Sequence, residues 1–203
     1  MVAVSLLAPL LEQPLVYRLW QAPFARRKLE PFLAHTDIAR LGRVLDVGCG
    51  PGTNAALFLR ADYLGVDWND TYIRYARRRH PGRFVTADAR AFQVAPGELF
   101  DGILVNSLLH HLGDQDVRKV LSNLGSLLAA GGAIHILELV LPAEPGPGRL
   151  LARLDRGESA RPLEAWRTLF AEAFATDVFE PYTVGGLGIS LWHMVYFKGR
   201  RNG

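Results

Sequence analysis

Val44-Leu45-Asp46-Val47-Gly48-Cys49-Gly50-Pro51-Gly52-Thr53-Asn54 is an apolar run that stops abruptly at glycines. Leu41 to Val47 concentrates apolar residues as a buried parallel strand does, and Gly48, Gly50 and Gly52 then turn the chain. Glycine lets the backbone take positive φ and leaves no Cβ to hold a ligand away. The turn opens a short helix, Asn54 to Leu59, with Thr53 or Asn54 as its cap. Backbone N–H groups at such a start can face an electronegative ligand group. Asp46 narrows the ligand, because a carboxylate beside the first glycine repels a pyrophosphate and suits an ammonium. A dinucleotide loop also needs a glycine where this chain has Thr53.

Asp46-Val47-Gly48-Cys49-Gly50-Pro51-Gly52 resembles motif I of the class I S-adenosylmethionine (SAM) methyltransferases. The resemblance covers roughly residues 42 to 140 by motif and the last strands by architecture. It implies a Rossmann-like α/β fold: a seven-stranded, mostly parallel sheet with an antiparallel last strand and helices on both faces. It also implies SAM as cofactor, with Asp46, Gly48, Cys49, Gly50, Gly52 and Asn54 around it. The expected reaction is in-line transfer of the SAM methyl to a small-molecule acceptor. A SAM-binding protein without catalysis is the alternative, and an NADP-linked reductase is a weaker third.

Three further strand ends follow in order. Tyr63 to Val66 ends at Asp67, where a carboxylate can accept both hydroxyl hydrogens of a ribose. Asn69 or Asp70 can cap the next helix in its place, and Trp68 can stack on adenine or pack on the surface. Arg83 to Thr86 ends in Ala87-Asp88-Ala89, where the resemblance implies an acid near the adenine amino group, with a neighbouring backbone N–H on a ring nitrogen. Asp88 can otherwise cap the turn Arg90-Ala91-Phe92. Phe100 to Val105 delivers Asn106-Ser107-Leu108-Leu109-His110-His111-Leu112, a segment that the resemblance places between cofactor and substrate. Adjacent histidines point in different directions, so one of His110 and His111 is expected to reach the cleft as a base. Each can equally pack or cap.

The flanks carry less chemistry. Residues 1–40 read as helical pieces cut by prolines, with Val16, Trp20 and Phe24 on one face, packing on the sheet or capping the cleft. Arg26 or Arg27 can meet the cofactor carboxylate. Asp114 starts a helix expected to run to Ala130 and end at Gly131-Gly132, before a strand over 133–140 with Glu138 near its end. Pro142 begins an insertion with helices at Leu150–Asp155 and Leu163–Ala173. Between them Asp155, Arg156, Glu158 and Arg161 face solvent, pair together or fix a polar substrate. Two antiparallel strands, Thr176–Val184 and Ile189–Phe197, close the chain, with His193 expected to be buried and bonded.

The whole reads as one domain: 1–40 N-terminal cap, 41–141 cofactor-binding core, 142–173 substrate-side insertion and 174–203 final strand pair. A net charge of +3 is too weak to predict nucleic-acid binding, and the basic clusters at 26–28, 77–79 and 198–201 read as solvated faces. Cys49, the single cysteine, excludes an internal disulfide and fits a small packing position. No apolar run is long enough to cross a bilayer, and no histidine has an acid or cysteine at metal-ligand spacing. Val2 to Leu11 lacks a basic leading segment and is followed by Glu12, so a cytoplasmic protein is expected.

Overall fold

The computed structural model describes residues 26–154, 159–186 and 189–202. Seven strands form one sheet: β1 (Arg43–Val47), β2 (Asp62–Asp67), β3 (Arg83–Thr86), β4 (Phe100–Asn106), β5 (Leu128–Leu139), β6 (Phe174–Gly186) and β7 (Ile189–Arg201). Their order is β3-β2-β1-β4-β5-β7-β6. The first five pair in parallel, while β7 runs antiparallel to both of its neighbours, β5 and β6. The sequence-based expectation of a mostly parallel sheet with a reversed last strand holds.

Strand pleating sorts the core. Successive side chains point to opposite faces, so Leu45, Ile103, Val105 and Ile136 pack with helices Asp114–Ser126 (α3) and Leu163–Ala173 (α5). Their neighbours Val44, Leu104 and Leu137 pack with Phe32 of helix Glu30–Ala34 (α1) and with Ile73 and Ala76 of helix Asp70–Arg79 (α2). A further helix, Pro147–Leu154 (α4), lies in the insertion. Parallel pairing then leaves the carboxyl ends of β2, β1 and β4 on one edge, the edge at which open α/β sheets bind ligands.

Two expectations need correction. The helix from Asp114 stops at Ser126, not Ala130, because Leu128 already pairs with Phe100 of β4. Gly131 and Gly132 form no helix cap: they lie where the β4–β5 register shifts between Phe100 and Gly102. Gly131 has φ of 77°, and a Cβ on Gly132 would lie 2.8 Å from the Phe100 carbonyl oxygen. Asn54 precedes a single 3-10 turn, Ala55–Phe58, and its side chain caps nothing there. The apolar face at Val16, Trp20 and Phe24, Asp155 to Glu158, and the link residues Leu187 and Gly188 lie outside the described residues.

Candidate active site

The glycine turn is anchored to β2 by its own main chain. Gly48 and Cys49 both donate to the Val66 carbonyl, at 2.8 and 3.0 Å, and Gly50 donates to the Asp67 carboxylate at 2.8 Å. These three amides hold the turn against the neighbouring strand. Gly48, Gly50 and Gly52 all have positive φ, so the turn needs glycine for its shape. A Cβ on Gly48 would meet Leu108, with three of its side-chain carbons at 3.2–3.3 Å, and one on Gly52 would meet His80 at 2.8 Å. Cys49 is buried against Gly65 of β2, where a Cβ would lie 2.9 Å from its sulfur. It is the packing residue its size suggested, and burial pushes its thiol pKa up, keeping it protonated.

Asp46 and Asp67 sit side by side at the ends of β1 and β2 with different surroundings. Asp46 is fully buried: its Oδ2 accepts the Tyr63 hydroxyl at 2.7 Å and the Asn54 amide at 3.3 Å, while Oδ1 has no hydrogen-bond partner. Burial raises its pKa to about 6 against the pull of those two donors. Asn54 therefore serves Asp46. Asp67 is half-buried, with Oδ2 taking Gly50 N–H and Oδ1 taking Asn69 N–H, each at 2.8 Å. Each oxygen keeps a further acceptor position. Asn69 caps α2 through Thr71 and Tyr72, so Asp67 is not the side-chain cap of that helix.

The adenine-side candidates are more open. Trp68 follows Asp67 and is 78% exposed. Asp88 is exposed and caps its own turn through Arg90 N–H at 2.9 Å, the alternative to the adenine contact expected of it. Arg90 also grips both Asp88 oxygens and reaches Asp116 of α3, which holds the Asp88 carboxyl below its usual range. Ala89 packs on the apolar core.

The segment after β4 makes the opposite rim. Asn106 is half-buried and accepts the Ser107 hydroxyl at 3.2 Å; Ser107 has φ of 56°, alone among the described non-glycine residues in being positive. His110 is 2% exposed and His111 is exposed, their rings 4.1 Å apart. His110 Nδ1 lies 2.7 Å from Glu138, whose other oxygen accepts Leu108 and Leu109 N–H at 2.8 and 2.6 Å. Arg161, foreseen as a solvated, paired or substrate-fixing residue of the insertion, is 7% exposed. It pairs with Asp114 at 2.7 Å and donates to the carbonyls of Leu112 and Ser159 at 2.6 and 2.9 Å. His193 is only half-buried, beside Gly148.

A family model described as a methyltransferase domain matches residues 44–132. A trans-aconitate 2-methyltransferase of Methylobacterium nodulans is 30% identical over 189 residues, 85% of this chain and 69% of that protein. The chain belongs to the SAM-dependent methyltransferase family. An uncharacterised methyltransferase of Mycobacterium tuberculosis is 38% identical over 105 residues, and the match spans 49% of this chain and 52% of that relative's length. Among solved structures, the N-methyltransferase NodS of Bradyrhizobium japonicum, in complex with S-adenosyl-L-homocysteine, superposes with a TM-score of 0.68 over 89% of each chain at 19% identity. That likeness is one of fold.

In this methyltransferase the sheet edge brings together Asp46, the glycine turn, Asp67 and the His110 segment. Leu108 links the last of these to Gly48. Sequence reasoning did not assign Tyr63 to the site, and it left Glu138 and Arg161 with alternatives inside and outside it. Glu138 was visible as an acid near a strand end, facing either the cleft or the opposite surface. Tyr63 left no local signal, and the partner of Arg161 could not be read, because the two partners lie 17 and 47 residues away.

Proposed function

We propose that this chain transfers the methyl group of SAM to a small-molecule acceptor, with the Asp67 carboxylate holding the cofactor ribose. The carrying observation is the state of the two groups that a nucleotide would meet. The amides of Gly48, Cys49 and Gly50 are spent on β2, and two carboxylates stand behind them. That arrangement disfavours a pyrophosphate and suits a ligand with a diol and a positive charge. Asp67 retains acceptor capacity on both oxygens, and Trp68 offers an exposed ring beside it. Bound SAM would supply a methyl on a cationic sulfur, an already activated leaving group. The chain's task is then to align the acceptor and exclude water. Leu108 against Gly48 and the 159–161 segment over the His110 loop close that rim.

Relatives named for trans-aconitate make a small carboxylic acid the first acceptor to test. We read the compartment as a reducing one such as the cytoplasm, in keeping with a buried free thiol at Cys49. Among the described residues, no helix is long and apolar enough to cross a membrane.

The test is titration calorimetry with SAM, its demethylated product and NADPH, followed by methyl-transfer assays with trans-aconitate. SAM and its product should bind and NADPH should not. Asp67→Ala should weaken SAM binding at least about tenfold, since charge-assisted hydrogen bonds contribute about 1.5–3 kcal/mol each. An unchanged affinity sinks the ribose assignment, and NADPH binding in place of SAM sinks the reading.

A further inference from the structure

The carboxyl group at the end of β1 is served on one side only. Asp46 is 0% exposed, and both of its donors, the Tyr63 hydroxyl and the Asn54 amide, reach Oδ2. Oδ1 is buried without a hydrogen-bond partner. Gly65 of β2 and Leu104 of β4 flank Asp46 in the sheet and carry no charge. The helices on this face, α1 and α2, bring Phe32, Ile73 and Ala76 to the same apolar cluster. The titratable groups that act on it are Tyr63 and Asp67 of β2 and the Cys49 thiol of the turn, while His80 lies against Gly52 of that turn. The charged one among these, Asp67, has the same sign as Asp46.

This one-sided arrangement settles where a proton sits. Oδ2 already accepts twice, so a proton on the carboxyl belongs on Oδ1. Once it leaves, Oδ1 is an anionic oxygen with no donor in a buried site, and its desolvation is uncompensated. Burial accordingly raises the Asp46 pKa to about 6 against the lowering by Tyr63 and Asn54, and Asp67 adds to the rise. Positive charge nearby acts the other way, favouring the ionised form. A cationic ligand at the glycine turn brings such a charge.

We propose that Asp46 couples cofactor binding to the loss of a proton: the positive charge of the ligand draws the buried carboxyl into its ionised form, so the turn holds the cofactor more tightly as mildly acid solution is neutralised. The inference rests on the methyl-transfer reading above. The Oδ1–H bond breaks on binding and the proton passes to solvent, while Tyr63 and Asn54 stay on Oδ2 in both states. In the unliganded chain the carboxyl is about nine-tenths ionised at pH 7 and about one-tenth at pH 5. At pH 7 the ligand meets the form that suits it; at pH 5 the proton must first be driven off, which weakens binding about tenfold. The amino and carboxyl groups of SAM titrate outside this window. Adenosine, which has the ribose and adenine without the positive charge, has nothing to draw the proton away.

Titration calorimetry of the full chain with SAM at pH 5, 6 and 7, each in two buffers of different ionisation enthalpy, reads affinity and proton release together. In wild type, affinity should rise about tenfold from pH 5 to pH 7, with about half a proton released per SAM bound at pH 6. Asp46→Asn keeps an oxygen for the Tyr63 hydroxyl but cannot ionise. It should bind SAM at all three pH values about as weakly as wild type does at pH 5, and release no proton. Asp67, whose carboxyl burial also holds above its usual range, and His80 remain in that variant, so a slope owed to them persists there. Tyr63→Phe removes a donor that lowers the Asp46 pKa, so its SAM affinity should level off at a higher pH than in wild type; this variant decides if the Asn chain does not fold. Adenosine affinity should be flat across the range. SAM affinity indifferent to pH in wild type overturns the proposal. So does a tenfold rise that survives in Asp46→Asn, or an equal rise for adenosine. Failure of SAM to bind at any of the three pH values sinks the methyl-transfer reading, and this inference with it.

Discussion

At the scale of single residues, three strand-end acids that look alike in sequence differ in what surrounds them. Asp46 is buried, Asp67 is half-buried on main-chain amides, and Asp88 is exposed and held by Arg90. Asp46 carries the clearest energetic consequence. Its folded pKa of about 6 lies above the ordinary 3.8, so the folded chain keeps a proton that the unfolded chain gives up between those values. The stability linked to this proton is complete below the unfolded pKa and is lost as pH rises through about 6. Above that, the buried charge costs about 3 kcal/mol. Asp46→Asn should therefore stabilise the unliganded protein by up to about 3 kcal/mol at pH 8 and by little at pH 4, read by urea unfolding. The Asn side-chain oxygen can still accept the Tyr63 hydroxyl. A gain that does not grow with pH would show that burial of the Asp46 charge is not what destabilises the native state. The acid at position 46 was legible as part of a motif; its full enclosure was not, because Tyr63 and Asn54 reach it from other segments.

At the scale of elements, the glycine turn and the His110 loop are one packed unit. A side chain at position 48 was expected to occupy the ligand's approach, but its first atom would meet Leu108. Gly48→Ala should cost about 1–3 kcal/mol, combining strain at φ of 74° with contacts of 3.2–3.3 Å. Leu108→Ala in the same chain should remove the two Cδ contacts and leave the Cβ contact and the backbone part, so a double-mutant cycle on denaturant midpoints should be non-additive. Strict additivity would separate the two loops. Arg161 ties the insertion to the same unit. Arg161→Met should cost about 2–4 kcal/mol by leaving the Leu112 and Ser159 carbonyls unmatched, and Arg161→Lys should recover little, since one ammonium cannot span the fork. Equal stability of the Lys variant and wild type would show that charge alone is enough there. The charged stretch around Arg161 read as surface because its composition is that of a solvated loop. Only its bridge to Val140 and the packing of Trp166 beneath it draw the guanidinium inside.

At the scale of the molecule, the sheet order carries the site. Five parallel strands bring Asp46, Asp67 and the His110 segment to one edge, and the reversed β7 pairs with β5 so that Glu138 stands opposite Val195. By itself the sequence determined the elements whose signals are local: the apolar run into the glycine turn, the third strand at Arg83–Thr86, the helix at Leu163–Ala173, and the antiparallel final pair. It also determined the family, through residues adjacent in the chain. Tertiary structure alone decided where the turn's amides go, which helix residue gives way to β5 at Leu128, and which histidine meets a carboxylate. Strand and helix signals arise from backbone sterics and side-chain periodicity within a few residues, so they survive in a one-dimensional string. Hydrogen bonds between Tyr63 and Asp46, or between Glu138 and His110, depend on register between strands, which exists only once the sheet has formed.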